Sequence, residues 1–399
     1  VMENPATEIP LENLCGMKEP PDWREKGRFV WKTLPKMGLP TAFDWRNQGG
    51  CTSIKNQGNC GSCWAFGTVG VLESAILLQE GVEVDLSEQW LVSCNQDAWG
   101  CAGGWWAHGY HQCQGGSVDP YGDSGAVLEA DCEYLAFDQA CAGPYEHPYC
   151  IDSWAYIGTD SNIPTVAAMK QAILDHGPIS VAVCVDDAFR AYSGGIFNAS
   201  APGEINHAVI LVGWDDNQGA NGIWFMRNSW GTAWGEAGYM RIEYNCSSIG
   251  YAACFIQYSP PDYRVTPEMN FISSGDPGGP FTPATITYTL SNTRADQSAS
   301  WNVTGSAGWL DIVPSSGILA PNSTVEVVVS LYNAEHLAEG FYTDEIHFEI
   351  GGTHIIRQAA LTIGEIDYFT EVFDLTHYHD LDNVSLTLTP NSAARGYDL

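Results

Sequence analysis

Residues 57–66 read Gln57-Gly58-Asn59-Cys60-Gly61-Ser62-Cys63-Trp64-Ala65-Phe66. From Trp64 to Glu80 apolar residues are spaced around a helix, and Gly81 is typical of a helix end. Cys63 therefore lies at the N-terminus of a long helix. The partial positive charge and unpaired N–H groups at that position favour a thiolate, which is the reactive form of cysteine.

Gln57 lies in a glycine-rich loop just before this cysteine. Its side-chain amide can direct an N–H at an oxyanion, beside the backbone N–H of Cys63, and loss of one such donor costs about 2.7–4 kcal/mol of transition-state stabilisation. Nucleophilic catalysis also needs a base and a group that orients the base. Two later segments, 206–209 (Asn-His-Ala-Val) and 227–231 (Arg-Asn-Ser-Trp-Gly), offer a histidine and an asparagine.

These three segments resemble, in the same order, the motifs of papain-family cysteine peptidases. The resemblance implies that Cys63 is the nucleophile, His207 is the base that becomes its imidazolium partner, and Asn228 fixes the imidazole ring. It also implies that Gln57 forms the oxyanion hole and that Trp230 shields the histidine–asparagine hydrogen bond from water. The expected reaction is hydrolysis of peptide bonds through an acyl-enzyme, by an endopeptidase that needs no cofactor or metal.

The resemblance extends to the substrate cleft. The glycine pair Gly103-Gly104 is expected to run beside the substrate backbone, and Trp105 is expected to border the S2 pocket. The predicted substrate-binding residues are Gly103, Gly104, Trp105, Cys184, Ala208 and Trp230, with a further neighbour within 252–254. Since none of the S2 candidates is charged, we expect a preference for an apolar or aromatic P2 side chain.

Composition divides the chain into four parts. Residues 1–40, with six prolines and no long periodic run, are predicted to be a leader or pro-segment. Residues 41–258 are predicted to form an α+β peptidase domain with a papain-like two-lobe fold, one lobe helical and the other a β-barrel. Residues 262–363 follow as an antiparallel β-sandwich. Residues 364–399 are predicted to open a further β-module or to be a C-terminal extension.

The sandwich prediction rests on alternating Thr, Ser and Val runs separated by turn residues. The segments Phe271-Ile272-Ser273-Ser274-Gly275, Trp309-Leu310, Pro314-Ser315-Ser316-Gly317 and Gly340-Phe341-Tyr342 resemble the Ig-like BACON-type modules of secreted bacterial proteins. This resemblance implies contact with a glycan, a cell surface or a partner protein, although no binding residue can be named.

Local patterns predict further elements of the peptidase domain. Asp85 or Ser87 can cap a second helix that runs through Cys94, and a third helix is predicted from Thr165 to His176. Strands are predicted over 179–185, 208–214, 223–228 and 238–244.

Thirteen cysteines with several close spacings indicate a disulfide framework made outside the cytosol. A metal site is the alternative, but no two C-x-x-C units have zinc-finger spacing. The family resemblance implies Cys60–Cys101 and Cys94–Cys132, close spacing suggests Cys141–Cys150 and Cys246–Cys254, and elimination suggests Cys51–Cys113. Cys184 is expected to stay a buried free thiol.

Cys15 and Cys63 then remain. The leader is predicted to lie through the cleft as in a zymogen, with Cys15 close to Cys63 and available for a disulfide with it. Two alternatives stay open, namely that Cys15 is free or paired elsewhere, and that the leader is a solvated tail.

The charge balance restricts the partners. With 16 Lys+Arg against 48 Asp+Glu the chain carries a formal charge of −32, so nucleic acid and anionic membranes are unfavourable partners. No apolar run is long enough for a transmembrane segment. We therefore expect a secreted enzyme acting on a protein or peptide substrate. The alternatives are an adhesion or binding protein with a vestigial peptidase domain and a transpeptidase that uses the same acyl-enzyme.

Overall fold

The computed structural model describes residues 5–30, 38–158, 162–199, 203–267 and 269–364. The chain divides into two compact units, with the boundary between Pro260 and Pro261. The prediction made for residues 364–399 lies outside the described residues, apart from Gly364. None of the helices in the described part of the chain combines the length and apolarity needed to cross a bilayer.

The first unit contains the α-helices of the described residues. They are α1 (Leu11–Leu14), α2 (Trp23–Lys26), α3 (Cys63–Glu80), α4 (Glu88–Cys94), α5 (His108–His111), α6 (Val166–His176) and α7 (Asp187–Arg190).

The three predicted helices are confirmed as α3, α4 and α6. Helix α3 begins at Cys63 and ends where Gly81 takes the left-handed conformation with φ of 71°. Ser87, rather than Asp85, caps α4, because its hydroxyl accepts a hydrogen bond from the N–H of Trp90 at 2.9 Å.

Among the described residues, nine strands form the sheet of the first unit. They are β1 (Phe29–Val30), β2 (Ala42–Asp44), β3 (Ser153–Ile157), β4 (Ile179–Val183), β5 (Ile196–Phe197), β6 (His207–Asp215), β7 (Ile223–Arg227), β8 (Tyr239–Glu243) and β9 (Tyr251–Gln257). The strand order is β1-β3-β9-β4-β6-β7-β8-β5, and β2 pairs with β6. β6 thus lies inside the sheet, which agrees with its nearly continuous burial.

Helix α3 packs closely against β6. A Cβ atom on Gly67 would lie 3.2 Å from the Cβ of Ala208, and one on Gly70 would lie 2.7 Å from Cδ1 of Ile210. Larger side chains at these glycines would push the helix away. The two glycines therefore hold the start of α3 next to the start of β6.

The second unit consists of two sheets around one apolar core. Its strands are β10 (Tyr263–Thr266), β11 (Phe271–Gly275), β12 (Phe281–Thr282), β13 (Thr285–Asn292), β14 (Ala299–Thr304), β15 (Leu310–Val313), β16 (Ser316–Leu319), β17 (Ser323–Leu331), β18 (Gly340–Ile350) and β19 (Thr353–Ile363). The orders are β10-β13-β17-β15 and β12-β11-β19-β18-β14-β16. The prediction of a wholly antiparallel sandwich is wrong in one respect, because β11 and β19 are parallel.

Three disulfides are present among the described residues, and only one matches the expected pairs. The bonds are Cys60–Cys101, Cys94–Cys141 and Cys113–Cys150. The expected Cys60–Cys101 pair is confirmed. The pairs Cys94–Cys132, Cys141–Cys150 and Cys51–Cys113 are wrong, because Cys141 and Cys150 bond to other cysteines and Cys132 and Cys51 are free. A bridge between Gln112 and Ile151 brings positions 113 and 150 together, which sequence spacing does not reveal.

The expected Cys246–Cys254 pair is also wrong, and both thiols are free and buried. Cys246 lies in a short 3₁₀ turn, whereas the Sγ of Cys254 contacts Nε2 of His108 at 3.3 Å inside the domain. Cys184 is a buried free thiol, as expected.

We expect protonation of two buried histidines, His108 and His111, to destabilise the folded state in acid. Burial lowers the pKa of both His108 and His111 to about 3, and neither nitrogen of His111 has a hydrogen-bond partner in the described part of the chain. Since the folded-state pKa lies below the unfolded value near 6.5, the unfolded chain binds more protons between these values. The stability that depends on keeping the two histidines neutral is therefore complete above about pH 6.5 and is lost progressively down to about pH 3.

We expect His111→Gln to flatten this dependence. As the pH falls below 6, the wild type should lose up to about 1.4 kcal/mol of unfolding free energy per pH unit relative to the variant. The difference in stability between the two proteins should therefore shrink. Denaturant unfolding between pH 7 and pH 4 measures it. The control His336→Gln changes an exposed histidine and should leave the pH slope unchanged. Equal slopes for all three proteins would contradict the prediction.

Candidate active site

Cys63 is the first residue of α3 and is fully buried. The backbone N–H of Ala208, the residue after His207, interacts with its thiol. The close approach of α3 to β6 thus places the end of β6 that carries the imidazole beside the sulfur.

His207 and Asn228 form a hydrogen bond of 2.8 Å between Nε2 and Oδ1. Both side chains are buried. Asn228 directly follows β7, the neighbour of β6 in the sheet, and its N–H donates to the carbonyl of Gly238 at 3.0 Å. The amide oxygen also accepts from the N–H of Ser229 at 2.8 Å. The acceptor that faces the imidazole is therefore held by main chain on both sides.

Trp230 covers this hydrogen bond, as its predicted shielding role requires. Its ring centroid lies 4.7 Å from that of His207 at an interplanar angle of 34°, and the indole is 2% exposed. Trp234 and Phe189 pack edge-on against the indole. Because water is excluded, the histidine–asparagine hydrogen bond lies in a lower dielectric and is stronger.

Gln57 is fixed with its amide N–H groups pointing toward the cleft. Its Oε1 accepts a hydrogen bond from the hydroxyl of Ser229 at 2.7 Å. Its Nε2 donates to the carbonyls of Cys60 at 2.8 Å and of Leu14 at 3.0 Å. A leader carbonyl thus takes the donor that was predicted to bind an oxyanion.

Gly104, the second glycine of the pair, binds main chain of the leader. The N–H of Gly104 donates to the carbonyl of Gly16 at 2.8 Å, and its carbonyl accepts from the N–H of Lys18 at 2.9 Å. The N–H of Met17 donates to the carbonyl of Asn206 at 2.8 Å. A Cβ on Gly104 would lie 2.7 Å from the ring of Trp64, so only glycine allows this segment to run so close to the nucleophile.

The leader presents an amide hydrogen to the nucleophile. The N–H of Gly16 donates to Sγ of Cys63 at 3.2 Å. Cys15 lies next to this contact, and its thiol interacts with those of Cys63 and Cys184, but all three cysteines are free. The structure therefore places Cys15 near Cys63, as predicted, without a disulfide between them.

Burial beneath the leader keeps both reacting groups neutral. Desolvation raises the pKa of the Cys63 thiol to about 11, against smaller opposing effects of backbone N–H groups. Burial lowers the pKa of His207 to about 4, while its hydrogen bond to Asn228 acts in the opposite direction. A thiolate–imidazolium pair is disfavoured in this state.

The remaining predicted cleft residues separate into two groups. Trp105 is buried beside Gly104, and its Nε1 donates to the hydroxyl of Tyr156 at 2.8 Å. Ala208 is buried at the thiol. The Cys184 thiol contributes to the raised pKa of Cys15, and its place beside Trp105 stays a prediction.

Sequence reasoning missed several residues of this site. Ser229 anchors Gln57 and Asn206 binds the leader backbone, and each adjoins a residue singled out in the motifs. Their positions in the motifs were a usable signal. Tyr156 and Tyr251 meet the leader's Trp23 at centroid distances of 4.8 and 6.1 Å, and no local pattern marks them.

A thiol at a helix N-terminus, a histidine held by an asparagine amide, and a glutamine amide beside them define the class of thiol-dependent acyl-transfer sites. The described residues place these groups where a helix meets a sheet, next to a segment that binds extended main chain.

Comparison with known proteins gives the family. The model of the papain family of cysteine proteases matches residues 39–260, and the chain belongs to this family. It is 34% identical over 253 residues to pro-cathepsin H of Mus musculus, covering 57% of this chain and 67% of that protein. It is 33% identical over 216 residues to a senescence-specific cysteine protease of Arabidopsis thaliana, covering 54% of this chain.

The chain spans 60% of the length of the Arabidopsis protein. Among solved structures, the digestive procathepsin L2 proteinase from the larval midgut of Tenebrio molitor matches with a TM-score of 0.54 and 30% identity. That match covers 62% of this chain and 78% of the procathepsin chain.

Proposed function

We propose that this chain hydrolyses peptide bonds through an acyl-enzyme on Cys63. The observation that carries the proposal is the 2.8 Å hydrogen bond in which the amide oxygen of Asn228 accepts from His207, whose neighbour Ala208 directs its backbone N–H at the helix-terminal thiol. Once the site opens, the thiolate attacks the scissile carbonyl, and the oxyanion is stabilised by the Gln57 amide and the Cys63 N–H. His207 gives its proton to the leaving amine and then takes one from the water that cleaves the thioester.

We propose further that residues 1–40 keep the enzyme as a zymogen. The leader occupies the Gln57 donor with a carbonyl and forms hydrogen bonds with Gly104 through its main chain. It offers Cys63 an N–H rather than a carbonyl carbon, so no scissile bond is in position for attack. The matched procathepsin is also a proform, which supports this proposal.

The side chains by which the leader fills the cleft support the proposed P2 preference. Met17 and Trp23 are 3% and 4% exposed. The Trp23 ring packs against Trp105 at 5.7 Å, besides the two tyrosines named above. An uncharged, aromatic-lined subsite favours an apolar or aromatic side chain over a charged one, because desolvation of the charge is uncompensated there.

We propose that the protein acts in an oxidising, extracellular setting, which its three disulfides support. For the second unit we propose an Ig-like module of the BACON type that contacts a glycan or a cell surface. The two-sheet architecture with one core supports an accessory domain of this kind.

Active-site labelling tests the proposed function. After limited proteolysis has removed the leader, an epoxide that alkylates catalytic thiols should modify Cys63 at one equivalent per chain, with loss of activity on a peptide panel. Peptide mapping identifies the modified residue. Cys254→Ala removes another buried thiol and should label normally. Failure of Cys63 to react would indicate a vestigial domain, and peptide products joined to an added amine would indicate a transpeptidase.

A further inference from the structure

Two histidines meet on the outer face of the six-stranded sheet in the second unit. His347 lies on β18 and His354 on β19, on diagonally related positions of a hairpin in which Glu349 faces His354. Their rings stack with centroids 5.1 Å apart at 20°. Nδ1 of His347 and Nε2 of His354 are 3.0 Å apart.

This separation falls within the range that a shared metal ion would give. Two nitrogens that each lie about 2.0–2.1 Å from one ion, at angles from about 90° to 109°, are about 2.9–3.4 Å apart. Without an ion, the same distance allows an N–H···N hydrogen bond in which only one nitrogen presents a lone pair. With an ion, His354 carries its proton on Nδ1, and both lone pairs face the metal.

A carboxylate sets the tautomer of the first histidine. Oε2 of Glu345 lies 3.2 Å from Nε2 of His347, so this nitrogen carries the proton and Nδ1 carries the lone pair. A carboxylate behind a ligating histidine in this way fixes the ring and raises the basicity of the ligand. The carboxylate that would orient His347 as a metal ligand is therefore already in place.

Space for the remaining ligands adjoins His354. A cavity of about 270 Å³ opens beside it and is lined by Ser300, Trp301, Asn302, Glu349, Gly351, Gly352 and His354. Within it the amide of Asn302 donates to Oε2 of Glu349 at 2.9 Å and holds that carboxylate. The cavity can admit water to an ion at the histidine pair.

We propose that His347 and His354 chelate one divalent late-transition-metal ion. The described residues include no group of three or more histidine, cysteine or carboxylate side chains that could hold a metal. The ion therefore has two protein ligands, and water completes its coordination. Imidazole pairs of this kind bind Cu²⁺ more tightly than Ni²⁺ or Zn²⁺ and have little affinity for Mg²⁺ or Ca²⁺, which prefer oxygen.

Titration of the chain 1–399 with CuCl₂ and NiCl₂ tests the proposal by calorimetry and by electron paramagnetic resonance of the Cu²⁺ complex. We expect saturable 1:1 binding at micromolar metal with splitting from two imidazole nitrogens. His354→Ala should weaken binding at least about tenfold and leave one nitrogen. Glu345→Gln should weaken metal binding by about tenfold, because the carboxylate that orients His347 is lost.

His336→Ala is the matched control. His336 lies exposed in the same unit, with a carboxylate oxygen of Glu335 3.7 Å from its Nε2. Among the described residues it does not pair with a second histidine, unlike His347 and His354. Its replacement should leave binding unchanged. Absence of saturable binding up to millimolar metal would overturn the proposal, as would binding that His354→Ala does not alter. The readout is independent of peptidase activity, so it stands apart from the proposed function.

Discussion

The chain 1–399 carrying Gly16→Ala is expected to expose its nucleophile without any change in the peptidase domain. A Cβ at position 16 would lie 1.6 Å from the carbonyl oxygen of Gly61, so the leader has to move. Gly61 cannot yield easily, because its N–H donates to the carbonyl of Cys101 at 3.0 Å and Cys101 is joined by a disulfide to Cys60. The contact between the Gly16 N–H and the Cys63 thiol is then lost.

The effect on thiol reactivity should be large. Beneath the leader, burial raises the pKa of Cys63 to about 11, so the thiolate is scarce at neutral pH. Once water and the helix terminus stabilise the thiolate, its pKa should fall to about 8.5 or below, and the rate of alkylation at pH 7 should rise by about 100-fold or more. Timed alkylation followed by peptide mapping measures the rate at Cys63.

Gly38→Ala is the control for this experiment. Gly38 belongs to the same leader, but a Cβ there would meet nothing within 4 Å. That variant should react at the wild-type rate. If Gly16→Ala also reacted at the wild-type rate, the leader would not govern access to Cys63.

The second large effect is expected at the catalytic pair itself. In the leader-free chain, His207→Ala removes the proton donor for the leaving amine and the partner of the thiolate. We expect kcat/KM to fall by at least about 10³-fold. Cys63→Ala removes the nucleophile, and hydrolysis should be lost. His336→Gln, at an exposed position of the second unit, should keep full activity.

Local sequence predicted the parts of this molecule that local physics determines. The helix from Cys63 to Gly81 follows from apolar spacing and a glycine end, and Ser87 caps its helix as its residue type predicts. The four residues of the candidate site come from motifs that each lie on one short segment. The structure then brings Gln57, His207 and Asn228 around the start of the helix.

Most long-range pairings were not predicted from the sequence, and the one disulfide that was, Cys60–Cys101, came from the family resemblance. Cys94 pairs with Cys141 rather than Cys132, and Cys113 pairs with Cys150 next to the isolated bridge between Gln112 and Ile151. No sequence spacing encodes that bridge. The parallel pairing of β11 with β19 is of the same kind, since it joins strands more than 80 residues apart.

The role proposed for Cys63 is tested most directly by comparing the leader-free wild type with leader-free Cys63→Ala on a panel of peptides. Both proteins are processed by the same added endopeptidase, which is then removed. We expect the wild type to cleave internal peptide bonds and the variant to cleave no peptide. Equal turnover by both proteins, or no turnover by a wild type whose Cys63 is exposed and reduced, would contradict it.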